Sequence, residues 1–201
     1  MALSVLLVVT GAGEAAGRTA IGLGGGGFLP LGALKSETAG AASVTCEHAV
    51  SAAFTGWARF RLGPVLNAEL RGTYAPANVD CRASLGGQTT SGGWSASLWQ
   101  ASAILTLDIV KPAFRPYAVH VSAGGGIVSR GGAYFADHSS GRSANVAGVL
   151  GVGGTYAVAR SIHLRADVMD VLSTFEPIGG GSSLQNDVLL TLGLELTLGS
   201  N

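Results

Sequence analysis

Two histidines stand two residues ahead of serines, in His120-Val-Ser122 and His138-Ser-Ser140. A base held beside a hydroxyl is the minimal arrangement that activates a serine nucleophile. The other two histidines, His48 and His163, read as isolated strand residues. No Cys-x-x-Cys or paired-histidine spacing supports a metal centre, and no cofactor is expected. The run Gly22-Leu-Gly-Gly-Gly-Gly27 lacks the Lys-Ser/Thr continuation of a phosphate loop and opens no helix. The two cysteines, Cys46 and Cys81, sit in polar, turn-rich segments. In an exported protein such a pair is oxidised, and here it would tie the first long loop to the second.

Composition narrows the classes further. Charged residues make up 12% of the 201 residues and apolar residues 47%, with 32 glycines and zero net charge. An average soluble domain is about 25% charged. Lys35 and Lys111 are the only lysines, so no basic surface for nucleic acid is available. Few charges and high apolarity point to a membrane protein or a very buried sheet. No apolar run reaches the ~18 residues of a helical span. The opening MALSVLLVVTGAGEAAG reads as a signal-peptide remnant, residues 1–16, with cleavage after Ala15 or Ala16.

The remaining pattern is alternation. In the stretch NDVLLTLGLELTLG, Val188, Leu190, Leu192, Leu194, Leu196 and Leu198 fall on every second residue. Leu189, Thr191, Gly193, Glu195 and Thr197 fall between them. A period of two is the signature of a strand with two unlike faces. Reading period and breakers along the chain predicts eight strands: Arg18–Leu29, Glu47–Leu62, Val65–Ala75, Trp94–Ile109, Arg115–Ser129, Ser143–Ala159, Ile162–Leu172 and Asn186–Gly199. Asp170 interrupts the apolar face of the seventh, so a bulge or the membrane edge is expected there. The connectors alternate long and short throughout. That is the habit of an up-and-down barrel with short turns at one end and long loops at the other. The predicted fold is all-β: an eight-stranded antiparallel up-and-down transmembrane β-barrel over residues 18–199, aliphatic side toward lipid.

That register turns one set of charges inward: Arg59, Arg61, Glu69, Arg71, Asp108, Arg165, Asp167 and Glu195. The four cations match the four anions. Ions away from bulk water need partners, because an unpaired buried charge costs several kcal/mol. A paired network plugging the lumen is therefore expected. His120 and Ser122 also face inward, away from any lipid substrate. Phe60, Tyr117 and Tyr156 near the short turns, and Tyr74 near the long loops, suit the two membrane interfaces.

RPYAVHVSAGGGIVS (Arg115–Ser129), GVGGTYAVARSIHLRADV (Gly151–Val168) and the final strand resemble the small bacterial outer-membrane barrels of the OmpA-like/OmpX-like superfamily. The resemblance implies export, contact with the outer-membrane assembly machinery and residence in outer-membrane lipid. Outer-membrane lipid A deacylases also use a His-x-Ser motif. Neither pair here continues with their asparagine, and no matching downstream glutamate follows. The expected role is thus non-enzymatic: a structural or surface-interaction barrel whose loop partner is unknown. The alternatives are a lipid-modifying enzyme, a narrow channel and a soluble lipocalin-like binder of an apolar ligand. The last would need the leucines inside and the charges in water.

Overall fold

The computed structural model describes residues 18–110, 112, 116–138, 144–175 and 183–198. The segment read as a signal remnant lies outside them. Ten strands and one short helix follow in order: β1 Thr19–Pro30, β2 Ala33–Ala39, β3 Ala42–His48, β4 Ser51–Arg61, β5 Leu66–Leu85, β6 Gln88–Val110, β7 Tyr117–Gly131, α1 Ala133–His138, β8 Ala144–Ala157, β9 Ile162–Phe175 and β10 Ser183–Leu198. Eight of the strands form an antiparallel ring that β10 closes onto β1. The hairpin β2–β3 lies outside the ring, added to the far half of β5.

The register fixes the dimensions. Cross-strand partners lead from Ala20 to Arg59, Glu69, Ile104, Gly124, Val149, Val171 and Asp187, then back to β1 at Pro30. One circuit therefore climbs ten residues, from 20 to 30. Eight strands ~4.8 Å apart with that offset tilt by about 40° and enclose a radius of roughly 8 Å. Side chains alone fill such a space.

The leucine alternation is resolved. Leu192 and Leu194 are 57% and 58% exposed on the outside, whereas Glu195 between them and Leu196 is fully buried inside. Ile21, Leu23, Leu70, Leu105, Leu107, Leu150, Val152 and Val168 extend this exposed aliphatic band around the ring. Tyr117 lies opposite Tyr156 at its short-turn end, and Phe54, Tyr74 and Trp99 sit side by side at its other end. The arrangement contradicts the lipocalin-like reading, which needs the leucines inside. β9 runs through Asp170 without a register shift. Asp170 is the ninth residue of its strand, as Tyr74 is of β5, so it lies at the aromatic level that marks the membrane edge.

The predicted loop Pro76–Gly93 is not a loop. β5 and β6 continue as one long hairpin that turns at Gly86-Gly87. Both glycines have positive φ, 56° and 88°, as a two-residue primed turn requires. Pro76 falls between the part of β5 paired with β4, which ends at Tyr74, and the part paired with β3, which starts at Val79. Beyond the band, β2, β3, β5 and β6 thus form a four-stranded extension. Cys46 and Cys81 are bridged, as expected, but between directly opposed residues of β3 and β5 rather than between loops. The predicted strand Glu47–Leu62 divides at Ala49-Val50 into the end of β3 and β4.

The bridge staples two strands of the extension together. Intact protein should weigh two hydrogens less than its reduced form under non-reducing mass analysis. Cys46→Ser should expose the extension to protease while the ring stays intact. Two free thiols in the exported protein would contradict the arrangement.

Candidate functional site

The inward faces of β4, β5, β9 and β10 converge in the half of the lumen nearer the short turns. Glu69 divides its carboxylate between two arginines, accepting from Arg71 Nε at 2.8 Å and from Arg165 Nη1 at 2.6 Å. Asp167 Oδ2 accepts from Arg71 Nη2 at 2.7 Å and forms an ion pair with Arg165, whose Nε lies 2.9 Å away. Glu195 is reached by Arg59, by Arg165 at 3.4 Å and by the indole N–H of Trp57 at 2.9 Å. The Arg71 and Arg165 guanidinium carbons lie 5.6 and 5.1 Å from the centroid of the Trp57 ring. Three cations and three anions thus share one cluster, and most of its members are under a twentieth exposed. Each carboxylate meets at least two donors, which satisfies the condition for burying charge.

Six of the eight charges read from the sequence meet here. Arg61 does not: at the exposed end of β4 it donates to the carbonyls of Gly63 at 2.9 Å and Pro64 at 3.3 Å, holding the short turn. Asp108 does not join the cluster either. It lies half-buried opposite His120, beside a register shift in β6. Losing one cation and one anion keeps the cluster balanced. Trp57 has the inward register of Arg59 but carries no charge, so a search for ions passes over it. Its space comes from glycine. A Cβ on Gly22 would overlap the indole, and one on Gly193 would lie 2.7 Å from it. The glycine-diluted pattern of β1 therefore reflects an aromatic ring on the neighbouring strand.

His120 and Ser122 are both buried in the lumen. Same-face neighbours on a strand are about 7 Å apart, too far for a direct hydrogen bond. His120 Nε2 instead contacts Asp167 Oδ1 at 2.9 Å, and Ser122 Oγ has no partner among the described residues. The base is thus committed to the ion cluster rather than to the serine. His138 ends α1, and Ser140 lies outside the described residues.

Above the ions the lumen turns apolar. Phe28, Leu98, Val128, Val149, Met169 and Leu189 belong to one buried cluster. Over it, Arg130 Nη2 donates to Ser173 at 2.8 Å and to Asp187 at 3.1 Å. The sequence pattern ends the fifth strand at Ser129, whereas β7 continues to Gly131 and carries Arg130 inward. An aromatic layer covers the mouth. His48 packs on Phe28 at 5.6 Å and on Phe135 of α1 at 5.5 Å, and Phe135 packs on Phe175 at 5.6 Å.

No family model matches the chain, and no curated protein matches it in sequence. Solved structures do match. The outer membrane protein OprG from Pseudomonas aeruginosa superposes with a TM-score of 0.65 at 11% identity, over 92% of this chain and 97% of that one. Neisserial surface protein A superposes with a TM-score of 0.57 at 12% identity, over 90% and 96%. The chain therefore has the fold of small bacterial outer-membrane β-barrels, as the resemblance implied.

Two predictions follow from these contacts. Glu69→Gln leaves Arg71 and Arg165 short of one counter-charge, so unfolding in micelles should become easier by roughly 3–5 kcal/mol. An unchanged urea midpoint would show that the cluster does not support the barrel. His48 pairs with Val79, five residues beyond Tyr74, and so lies above the membrane edge. Burial first, and the nearby Arg130 second, hold its pKa down to about 4. The unfolded chain takes up this proton near pH 6.5, so stability is lost as pH falls from about 6.5 towards 4. The loss should reach roughly 2–4 kcal/mol. Urea midpoints should show that slope, and His48→Phe should flatten it.

Proposed function

We propose that this chain is a closed, non-enzymatic barrel of the outer membrane with a structural or surface-interaction role. One observation supports the reading: buried side chains occupy the lumen at three levels. The Arg71–Glu69–Arg165–Asp167 ion pairs block its lower half, the Phe28–Leu98–Val128 layer fills its middle, and Phe135 of α1 covers its mouth. A pathway for ions would have to break paired charges that have no bulk water to replace their partners. Catalysis on lipid finds no support in His120 and Ser122, which share one face of β7 with no hydrogen bond between them and point away from the bilayer. The part of the molecule that offers a large accessible surface is the disulfide-stapled extension. Contact with outer-membrane lipid and with the assembly machinery belongs to this same reading.

Planar bilayers test it directly. The purified, folded protein should give no steady conductance across the working voltage range. Regular unitary steps from wild-type protein would overturn the closed reading in favour of the narrow channel.

A further inference from the structure

The two faces of the extension differ in chemistry. One face carries Leu34, Cys46, Val79, Cys81 and Ala96, all buried against the aromatic layer over the barrel mouth. The opposite face therefore looks outward. Along it the register lines up polar side chains in rows across all four strands. The first row is Thr38, Ser43, Ser84 and Thr89. The second is Ser36, Thr45, Arg82 and Ser91. The third is Glu47, Asp80 and Gly93. The first two rows hold no aliphatic or aromatic residue, and the third meets Ala33 of β2 opposite Glu47. A hollow of about 560 Å³ lies along them, from Ser43 and Ser84 down to Val50.

We propose that this hydroxyl-tiled face binds a neutral saccharide chain, that of the lipopolysaccharide in the surrounding outer leaflet. The proposal rests on the outer-membrane surface role argued above and names its partner. Solvated strand faces ordinarily carry long charged side chains, which keep proteins soluble. Here seven of the eleven positions are Ser or Thr. Each hydroxyl both donates and accepts, as sugar hydroxyls do. Their short side chains lose little rotamer freedom on binding, unlike Lys or Glu. The strand lattice spaces them at about 5 Å across strands and about 7 Å along them.

The charges select among glycans. Glu47 and Asp80 stand directly opposite each other, an arrangement that costs stability. Arg82 is their neighbour on the same face but makes no ion pair with either among the described residues. The face thus presents two carboxylate acceptors and one guanidinium donor for sugar diols. Its net charge of minus one repels polyanions. Gly93 ends the carboxylate row with no side chain, and the Asp80 carboxylate lies against it.

Position supplies the remaining argument. The rows begin six residues beyond Tyr74 on β5, above the aromatic edge of the lipid band, and look sideways along the membrane. Saccharide chains anchored in the same leaflet stand there at high effective concentration, so weak individual contacts suffice.

The test uses the whole folded protein in a detergent without a sugar headgroup. The probe is lipid-free neutral polysaccharide released from smooth lipopolysaccharide by mild acid. Heparin serves as the polyanion control, and lipid A as the control for lipid and phosphate. Binding by calorimetry should be weak, with Kd on the order of 0.1–1 mM. Thr38→Val, Thr45→Val and Thr89→Val together keep the β-branched shape while removing three hydroxyls. The triple variant should bind about tenfold more weakly and still shift on an unboiled gel. No binding of the polysaccharide, equal binding by the triple variant, or preference for heparin or lipid A would each overturn the proposal. Bilayer silence of the same sample reports separately on the closed barrel, so the two readings fail independently.

Discussion

Hydrocarbon offers no partner to a peptide group, and the molecule is organised around that one fact. Each N–H and C=O inside the band must bond to a neighbouring strand, so the sheet has no free edge there and closes. Closure with eight strands and a ten-residue offset sets the tilt and the radius together. That radius is too small for a water column wide enough to hydrate several ions, and too large to leave empty. What the lumen contains is therefore a packing problem. Trp57 is the largest part of the solution, and Gly22 and Gly193 on the adjoining strands β1 and β10 are its counterpart. Bulk on one strand is offset by its absence on the next.

The ion cluster solves the same problem with charge. Replacing it with leucines would fill the volume, yet would erase the difference between inside and outside on which register depends. A one-residue slip of β10 would carry Glu195 into lipid and Leu194 among the arginines. The cost of that exchange fixes the pairing of β9, β10 and β1 more firmly than the backbone ladder alone does. The arginines suit the role because a planar guanidinium serves two carboxylates at once, as Arg71 and Arg165 do. Such a cluster is best read as a device for specificity, not as a large source of stability.

The same contrast decides what the sequence reveals. Inside the band the two environments are unlike, so Val188 to Leu198 alternates cleanly and its faces can be assigned by inspection. Above the band both environments are polar or mixed, and the signal disappears. Ala33–Ala39 reads ALKSETA and shows no apolar period, so β2 passed for loop. Pro76 and the Ser/Gly-rich run to Gly93 carried turn residues into what is a continuous hairpin, because Pro76 sits where β5 changes partners. Arg61 was assigned inward by parity alone, but at the end of β4 the short turn offers it carbonyls closer than any carboxylate. Leu98 and Ile104 share the inward face of β6 with Gln100, Ser102 and Thr106. They line an apolar stretch of lumen that parity can locate but cannot explain.

The outer surface thus changes chemistry at one height. Below Tyr74 and Trp99 it is leucine, valine and isoleucine; above them, the outward face of the extension is mostly serine and threonine. A sheet that only needed solubility would place lysine and glutamate on that face, since long charged chains also guard exposed strands against aggregation. The extension guards itself differently. It is stapled by Cys46–Cys81, and its inner face is buried under Tyr134 and Phe135. Its outer face thereby carries little of the fold beyond the Ser84–Thr89 hydroxyl contact across the hairpin. Residues freed from packing and from guarding are the ones whose identity must be explained by what they meet outside the chain.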